Sequence, residues 1–121
     1  MAQFRYIVHD VDAAVAFYTR HLGFSLERQF GPAMAIARRQ GLELWLAGPP
    51  ASASRPMPDG ARPAPGGWSR IVITVADLAE LVARLRADGV KFRNDLTTGP
   101  GGTQILCEDP SGNPIELFQP A

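Results

Sequence analysis

Three charged residues stand inside short apolar stretches of this sequence, where a charge needs a partner. Glu43 lies in LELWLA, Glu116 lies in PIELFQ, and Arg70 opens the apolar run RIVITV. A carboxylate in such surroundings can transfer a proton, bind a metal ion or accept hydrogen bonds from a guanidinium. Which chemistry applies depends on the secondary-structure elements that position the three side chains.

These residues lie in two similar stretches of the chain, which we interpret as an internal repeat. Asp10 and Asp77 are 67 residues apart, and each follows a predicted strand. Asp10 or Asp12 is predicted to cap the first helix and Asp77 the second, and each helix has an apolar stripe. Gly23 and Gly89 end these helices, and three short strands are predicted after each of them. The pattern predicts an α+β fold made of two βαβββ units.

The repeat also predicts where the units begin and end. Residues 1–47 form the first unit and residues 68–121 the second, while residues 48–67 are rich in Pro and Gly and suit a connection. In the second unit we expect the strands VKFRN, TQILCE and PIELFQ after the helix. The motif GPGG at 99–102 is predicted to be a flexible lip before TQILCE.

Side-chain alternation along the strands predicts a polar second face on each sheet. The apolar residues of a strand cover the helix, which leaves the residues between them on the opposite face. The motifs LEL and IEL match at an offset of 73, which makes Glu43 and Glu116 equivalent. If the sheets curve around a cavity, that face lines it and carries Gln3, Arg5, Glu43, Trp45, Arg70, Glu116 and Phe118.

Trp45 and Phe118 are candidates to stack on a planar ligand in that cavity, because an aromatic ring offers a flat apolar surface. The alternative is that they pack, together with Trp68, in an interface between units or subunits. Stacking would make Trp45 a ligand-binding residue, whereas packing would make it structural.

Arg70 is expected to form charge-assisted hydrogen bonds to Glu43 or to Glu116. One guanidinium does not neutralise two carboxylates. Either Arg5 supplies the second positive charge, or one glutamate keeps a raised pKa and is a candidate acid or base. The alternative is a polar centre whose groups only satisfy one another and perform no chemistry.

The sequence resembles the vicinal oxygen chelate superfamily, which includes glyoxalase I, bleomycin-resistance proteins, fosfomycin-resistance enzymes and extradiol dioxygenases. The resemblance rests on VHDVDAAVAFYTRHLGF, VADLAELVARLRADGV and the tail EDPSGNPIELFQP. It implies paired βαβββ units whose mixed sheets curve around a ligand cavity. It also implies a homodimer, with the units paired within one chain or between two.

The resemblance further implies four positions for metal ligands, one early in each unit's first strand and one in each last strand. These positions hold Gln3, Glu43, Arg70 and Glu116. A guanidinium has no lone pair, and at ~4 Å it repels a divalent ion by roughly 8 kcal/mol at an effective dielectric constant of 20. We therefore predict no metal cofactor; the alternative is a Mg, Mn or Fe centre held by Gln3, Glu43 and Glu116.

Composition argues against other classes of function. The 12 basic residues balance the 12 acidic ones without a basic stripe, so no nucleic acid is expected as a partner. The apolar runs are shorter than a membrane helix requires. The single cysteine, Cys107, fits a cytoplasmic protein and is predicted to be an inert strand residue.

Together these features predict a metal-free protein that binds a planar polar metabolite or antibiotic. The ligand would lie over Trp45 and Phe118, and Arg70, Glu43 and Gln3 would hold its polar end. Two alternatives stay open. One is a metal-dependent lyase or dioxygenase of the same superfamily, and the other is a metal-free isomerase that uses Glu43 or Glu116 as acid or base.

Overall fold

The computed structural model describes all 121 residues of the chain. It contains two helices, α1 (Val11–His21) and α2 (Leu78–Ala87). Its eight strands are β1 (Ala2–Ile7), β2 (Ser25–Phe30), β3 (Met34–Arg39), β4 (Leu42–Ala47), β5 (Ile71–Thr74), β6 (Thr97–Gly99), β7 (Gly102–Glu108) and β8 (Pro114–Pro120). The predicted α+β fold of two βαβββ units is confirmed. Neither helix is long and apolar enough to cross a membrane.

The chain divides into two compact units. The first comprises Met1–Gly66 together with Pro110–Asn113, and the second comprises Gly67–Asp109 together with Pro114–Ala121. Each unit contains one helix and one four-stranded mixed sheet. The Pro/Gly-rich segment belongs to the first unit up to Gly66, and it includes a short 3-10 turn at Ser52–Ser54.

The first sheet has the strand order β1-β4-β3-β2, with β1 parallel to β4 and the other pairs antiparallel. Helix α1 begins where the Asp10 carboxylate accepts a hydrogen bond from the backbone N–H of Ala13, at 3.1 Å. The helix covers one face of the sheet. Its core is apolar because alternate strand residues and one helix stripe point into it, and it includes Tyr6, Val8, Ala14, Tyr18, Ala35, Ala37, Leu44 and Leu46.

The turn at 110–113 joins the end of β1 to the Pro/Gly-rich segment within the first unit. The Asn113 side chain donates to the backbone oxygen of Ile7 at 2.8 Å and accepts from the N–H of Gly66 at 2.8 Å. The backbone N–H of His9 donates to the hydroxyl of Ser111 at 2.8 Å. Asn113 is almost fully buried, so these hydrogen bonds replace the water that its amide group loses on folding.

The second sheet has the order β5-β8-β7-β6, with β5 parallel to β8. Helix α2 begins in the same way as α1, since the Asp77 carboxylate accepts from the N–H of Glu80 at 3.2 Å. Its apolar stripe packs with alternate residues of the strands. The buried residues include Ile71, Ile73, Leu78, Val82, Leu85, Ile105, Ile115 and Leu117.

One strand of the second unit differs from the prediction. VKFRN does not form a strand; only Phe92 makes an isolated bridge, to Cys107. The first strand after α2 is instead Thr97–Gly99, which lies at the edge of the sheet, and GPGG forms the hairpin turn between β6 and β7. The reason is local: the side chain of Asn94 accepts the N–H of Leu106 at 2.9 Å, a place that a backbone carbonyl would take in a continued ladder.

Gly48 ends β4 at a crowded point of the first unit, and we predict that Gly48→Ala destabilises the protein. An added Cβ would lie 2.7 Å from Cγ2 of Val11 and closer still to the backbone oxygen of Pro32. Relieving such overlap costs about 1–3 kcal/mol. Urea denaturation of both proteins measures the loss. Gly41→Ala is the matched control, because a Cβ there meets nothing within 4 Å; equal stability of the two variants would contradict the prediction.

Candidate functional site

The strand register arranges the face of the first sheet opposite α1, here called the helix-free face, into three rows. Each row crosses the strands in the order β1, β4, β3, β2. A bulge between Leu26 and Arg28 keeps the β2 residues on the same face. The rows are Gln3, Glu43, Arg38, Ser25; then Arg5, Trp45, Ile36, Arg28; then Ile7, Ala47, Met34, Phe30.

The first row contains a closed group of hydrogen bonds, here called the Glu43 cluster and consisting of Gln3, Arg38, Glu43 and Trp45. Oε1 of Glu43 accepts from Trp45 Nε1 at 2.7 Å and from Gln3 Nε2 at 3.2 Å. Oε2 accepts from Nε and from a terminal nitrogen of Arg38, both at 2.9 Å. The carboxylate is buried, and all of these donors are in place around it.

The donors hold the pKa of Glu43 below its usual value. The largest effect is the hydrogen bond from the Trp45 indole, followed by the bond from Arg38. Burial acts in the opposite direction and is outweighed, while Gln3 and the charge of Arg38 lower the pKa further. An acid catalyst that works near neutral pH needs a raised pKa, whereas the pKa of Glu43 is lowered.

The cation that neutralises Glu43 is Arg38, a residue that the sequence reasoning missed. Arg38 also forms a salt bridge to Glu27. The signal was present in the sequence: β3 and β4 form a tight hairpin closed by Arg39 and Leu42, which places Arg38 directly opposite Glu43. Arg5, the predicted second cation, does not bind Glu43.

Arg5 lies instead against the ring of Trp45. Its Cζ is 5.0 Å from the ring centroid, within range of a cation–π interaction. The indole is therefore held at two places, by the Nε1 bond to Glu43 and by the stacked guanidinium. Trp45 is half-buried, so part of this residue remains accessible to solvent.

In the second unit, Arg70 pairs with Glu116. Nε and a terminal nitrogen of Arg70 donate to the same oxygen of Glu116, at 3.1 and 2.8 Å. The other terminal nitrogen donates to the backbone oxygen of Trp68 at 3.2 Å. The Glu116 side chain is only 12% exposed, so a charge-assisted pair is its main compensation for lost water.

The two glutamates do not occupy equivalent register positions, which corrects the equivalence expected from LEL and IEL. The N–H of Val8 donates to Ala47 and that of Val75 donates to Phe118, so the last strands match at an offset of 71 rather than 73. The first-unit residue that corresponds to Glu116 is therefore Trp45. A shift of two residues keeps every side chain on the same face, so alternation in the sequence does not reveal it.

The other predicted residues are also accounted for. Phe118 is half-buried on β8, in a row with Thr74 and Gln104. Cys107 is fully buried, and burial raises the pKa of its thiol to about 12, so it is a poor nucleophile near neutral pH. A cavity of about 350 Å³ in the first unit lies between the end of β1 and the Pro-rich segment, and none of the predicted site residues lines it.

A protein-family model described as the Glyoxalase/Bleomycin resistance protein/Dioxygenase superfamily matches residues 1–117. The chain belongs to this superfamily. The match includes the first unit, the DPSGN turn and the second unit up to Leu117 within β8. No curated protein sequence matches the chain significantly.

Solved structures of superfamily proteins resemble the chain over nearly its whole length. Lactoylglutathione lyase from Agrobacterium tumefaciens is 22% identical, with a TM-score of 0.77 and coverage of 98% of this chain and 92% of that one. A superfamily member from Sphaerobacter thermophilus DSM 20745 is 27% identical, with a TM-score of 0.77 and coverage of 98% and 95%. TnmS3, an antibiotic binding protein from Streptomyces sp. CB03234, is 27% identical, with a TM-score of 0.74 and coverage of 98% and 93%. At 22% identity, the similarity to the lyase shows the fold alone.

The residues at the expected ligand positions do not fit the metal centre of the superfamily's metal-dependent members. Arg70 offers no lone pair and bonds to Glu116. Gln3 directs its amide nitrogen, not its oxygen, at Glu43, whose own oxygens are filled by donors. No group of three or more His, Cys, Asp or Glu side chains is placed to hold a metal ion. In each unit the glutamate is paired with an arginine and is not grouped with other side chains as a metal ligand.

We expect acid to lower the unfolding free energy of the wild-type protein more than that of the Glu43→Gln variant. The folded-state pKa of Glu43 lies below 4.5, so the stabilisation from the ionised carboxylate is complete above about pH 4.5 and is lost as the pH falls through the folded-state pKa. The difference in unfolding free energy between wild type and variant, measured by urea titration at a series of pH values, should therefore shrink in acid.

Glu80→Gln serves as the control for this measurement, because it removes an exposed carboxylate from α2 instead. A wild-type advantage over Glu43→Gln that stays constant or grows between pH 6 and pH 3 would contradict the assigned hydrogen bonds.

Proposed function

We propose that this protein binds a planar polar metabolite or antibiotic without a metal cofactor. The observation that carries the proposal is the fixed ring of Trp45, which stands where the second unit has Glu116 and is oriented by the Glu43 cluster. A ring held in place loses little conformational freedom when a flat ligand stacks on it. The 27% identity to the antibiotic binding protein TnmS3 supports the same function.

In this proposal Trp45 supplies the stacking surface, and the polar groups beside it orient the ligand. Arg5 lies in the same row of the helix-free face as Trp45, and Gln3 lies in the adjacent row. Arg70 and Phe118, in the second unit, stay predicted ligand contacts. The proposal also includes a homodimer located in the cytoplasm.

The geometry favours binding over acid–base catalysis by a glutamate. Glu43 has a lowered pKa and accepts bonds from Trp45 and Arg38, which leaves it a weak base. The Glu116 carboxylate is engaged by Arg70 through two hydrogen bonds to one oxygen. The metal-dependent lyase or dioxygenase lacks support for a different reason, since each unit's expected ligands are bonded to one another.

Binding is tested by tryptophan fluorescence in a Trp68→Phe background, which leaves Trp45 as the single reporter. A panel of flat polar natural products should contain compounds that quench Trp45 emission. Saturation at 100 times the dissociation constant should raise the unfolding free energy by about 2.7 kcal/mol. Trp45→Ala should weaken binding at least tenfold, measured by isothermal titration, because stacking area is lost.

Trp68→Phe itself should leave the affinity unchanged, since Trp68 lies in the second unit, is 69% exposed and is no part of the Glu43 cluster. A panel without any stabilising compound would overturn the proposed function, and so would full affinity in Trp45→Ala.

Metal independence has its own test. Wild-type protein purified without chelator should contain no stoichiometric Mg, Mn, Fe, Ni or Zn by elemental analysis, and adding these ions should not raise its melting temperature. Arg70→His should shift the site toward metal binding, because it frees the Glu116 carboxylate and adds an imidazole. Stoichiometric metal in the wild type, with stabilisation at micromolar concentrations, would reverse the conclusion.

A further inference from the structure

Two arginines on the helix-free face are stacked on aromatic rings and have no acidic partner. Cζ of Arg5 is 5.0 Å from the centroid of Trp45, and Cζ of Arg28 is 4.8 Å from the centroid of Phe30. Neither guanidinium forms a salt bridge or a hydrogen bond within the protein. Both residues are exposed, so these are ordered cations that are available to an anion from solution.

Arg5 and Arg28 lack an acidic partner because the glutamates of this face bind Arg38 instead. Both Glu27 and Glu43 form salt bridges to Arg38. No carboxylate is therefore left for Arg5 or Arg28, although the chain as a whole has equal numbers of acidic and basic residues. Arg5, Arg28 and Arg38 together with Glu27 and Glu43 carry a net charge of +1, and the two guanidiniums without a carboxylate are those of Arg5 and Arg28.

Arg5 and Arg28 lie at the two ends of one row, with Trp45 and Ile36 between them. Neighbouring strands are about 4.8 Å apart, so three strand spacings separate the Cα atoms of the two arginines by about 14 Å. The centre of the row consists of the indole of Trp45 and the aliphatic side chain of Ile36, and each end carries a guanidinium. The row therefore matches a fused two- or three-ring system with an acidic group at its edge.

We propose that the ligand of this protein is a planar aromatic anion whose rings lie on Trp45 and Ile36 and whose acidic group binds Arg5. Arg28 receives the second acidic group of a ligand that has one at each end. The inference rests on the proposed function and adds the ligand's charge to it. Arg5 is the residue that determines this specificity, because a guanidinium already stacked on an indole binds a carboxylate with little further ordering.

The row also discriminates against the other charge types. A cationic ring system would lie against the guanidiniums of Arg5 and Arg28, neither of which has a carboxylate partner, and would be repelled by them. A neutral ring system would gain the stacking surface of Trp45 but no ion pair. Affinity should therefore rank anion above neutral compound above cation.

A matched pair of probes tests the inference: anthraquinone-2-carboxylate and its neutral isostere anthraquinone-2-carboxamide, titrated into the full-length Trp68→Phe protein with Trp45 emission as the signal. The carboxylate should bind at least tenfold more tightly, and added salt should reduce that advantage. Arg5→Gln should abolish the advantage and leave the carboxamide affinity within about twofold. Arg5→Lys should retain part of it.

Two further variants complete the experiment. Arg28→Gln should weaken anthraquinone-2,6-dicarboxylate at least threefold more than it weakens the monocarboxylate. Arg84→Gln, which removes an exposed positive charge from α2, should change none of these affinities. Far-UV circular dichroism of each variant verifies that it is folded.

The outcomes separate this inference from the proposed function. Equal binding of carboxylate and carboxamide overturns the anionic ligand but leaves a planar ligand in place. An equal loss of affinity for both probes in Arg5→Gln also overturns it, since Arg5 would then only support the ring of Trp45. If neither these probes nor any member of the wider panel binds, the proposed function itself fails.

Discussion

The buried carboxylate of Glu43 is the constraint on which the helix-free face depends. A buried charge is tolerated only when donors replace its lost water, and the donors here come from three strands. Gln3 reaches it from β1, Arg38 from β3, and Trp45 from two residues further along β4. Satisfying one charge therefore fixes three neighbouring side chains, and the orientation of the indole ring follows from it.

The strand register shows that the two units share a fold but have different side chains at corresponding positions. At corresponding positions of their last strands, the first unit has Trp45 and the second has Glu116. The residue opposite each differs accordingly: Arg5 stacks on the indole, while the exposed Val72 leaves Glu116 to Arg70. The repeat preserves strands and faces but not chemistry, so function has to be argued from each face separately.

Much of the fold was predictable because its signals are local and periodic. The caps Asp10 and Asp77, the helical stripes and the alternation along the strands all depend on residues close in sequence. The predicted strand VKFRN did not form because the Asn94 side chain accepts the N–H of Leu106, which a backbone carbonyl would accept in a continuous strand pair. The periodicity of the sequence does not reveal such a side-chain hydrogen bond. The two-residue register shift was hidden for a related reason, since it leaves every residue on its predicted face.

The candidate site was less predictable because charge pairing depends on which strands are neighbours. From sequence, Arg5 was the candidate for the second positive charge and Arg38 was not considered, whereas the β3–β4 hairpin places Arg38 opposite Glu43. That placement has a consequence beyond Glu43. In the second unit Arg70 and Arg93 each have a glutamate, Glu116 and Glu108. In the first unit two glutamates share one arginine, so a chain with no net charge still presents unpaired cations beside an aromatic ring. The anionic ligand that we propose therefore rests on how the charges pair on this face and not on the net charge of the chain.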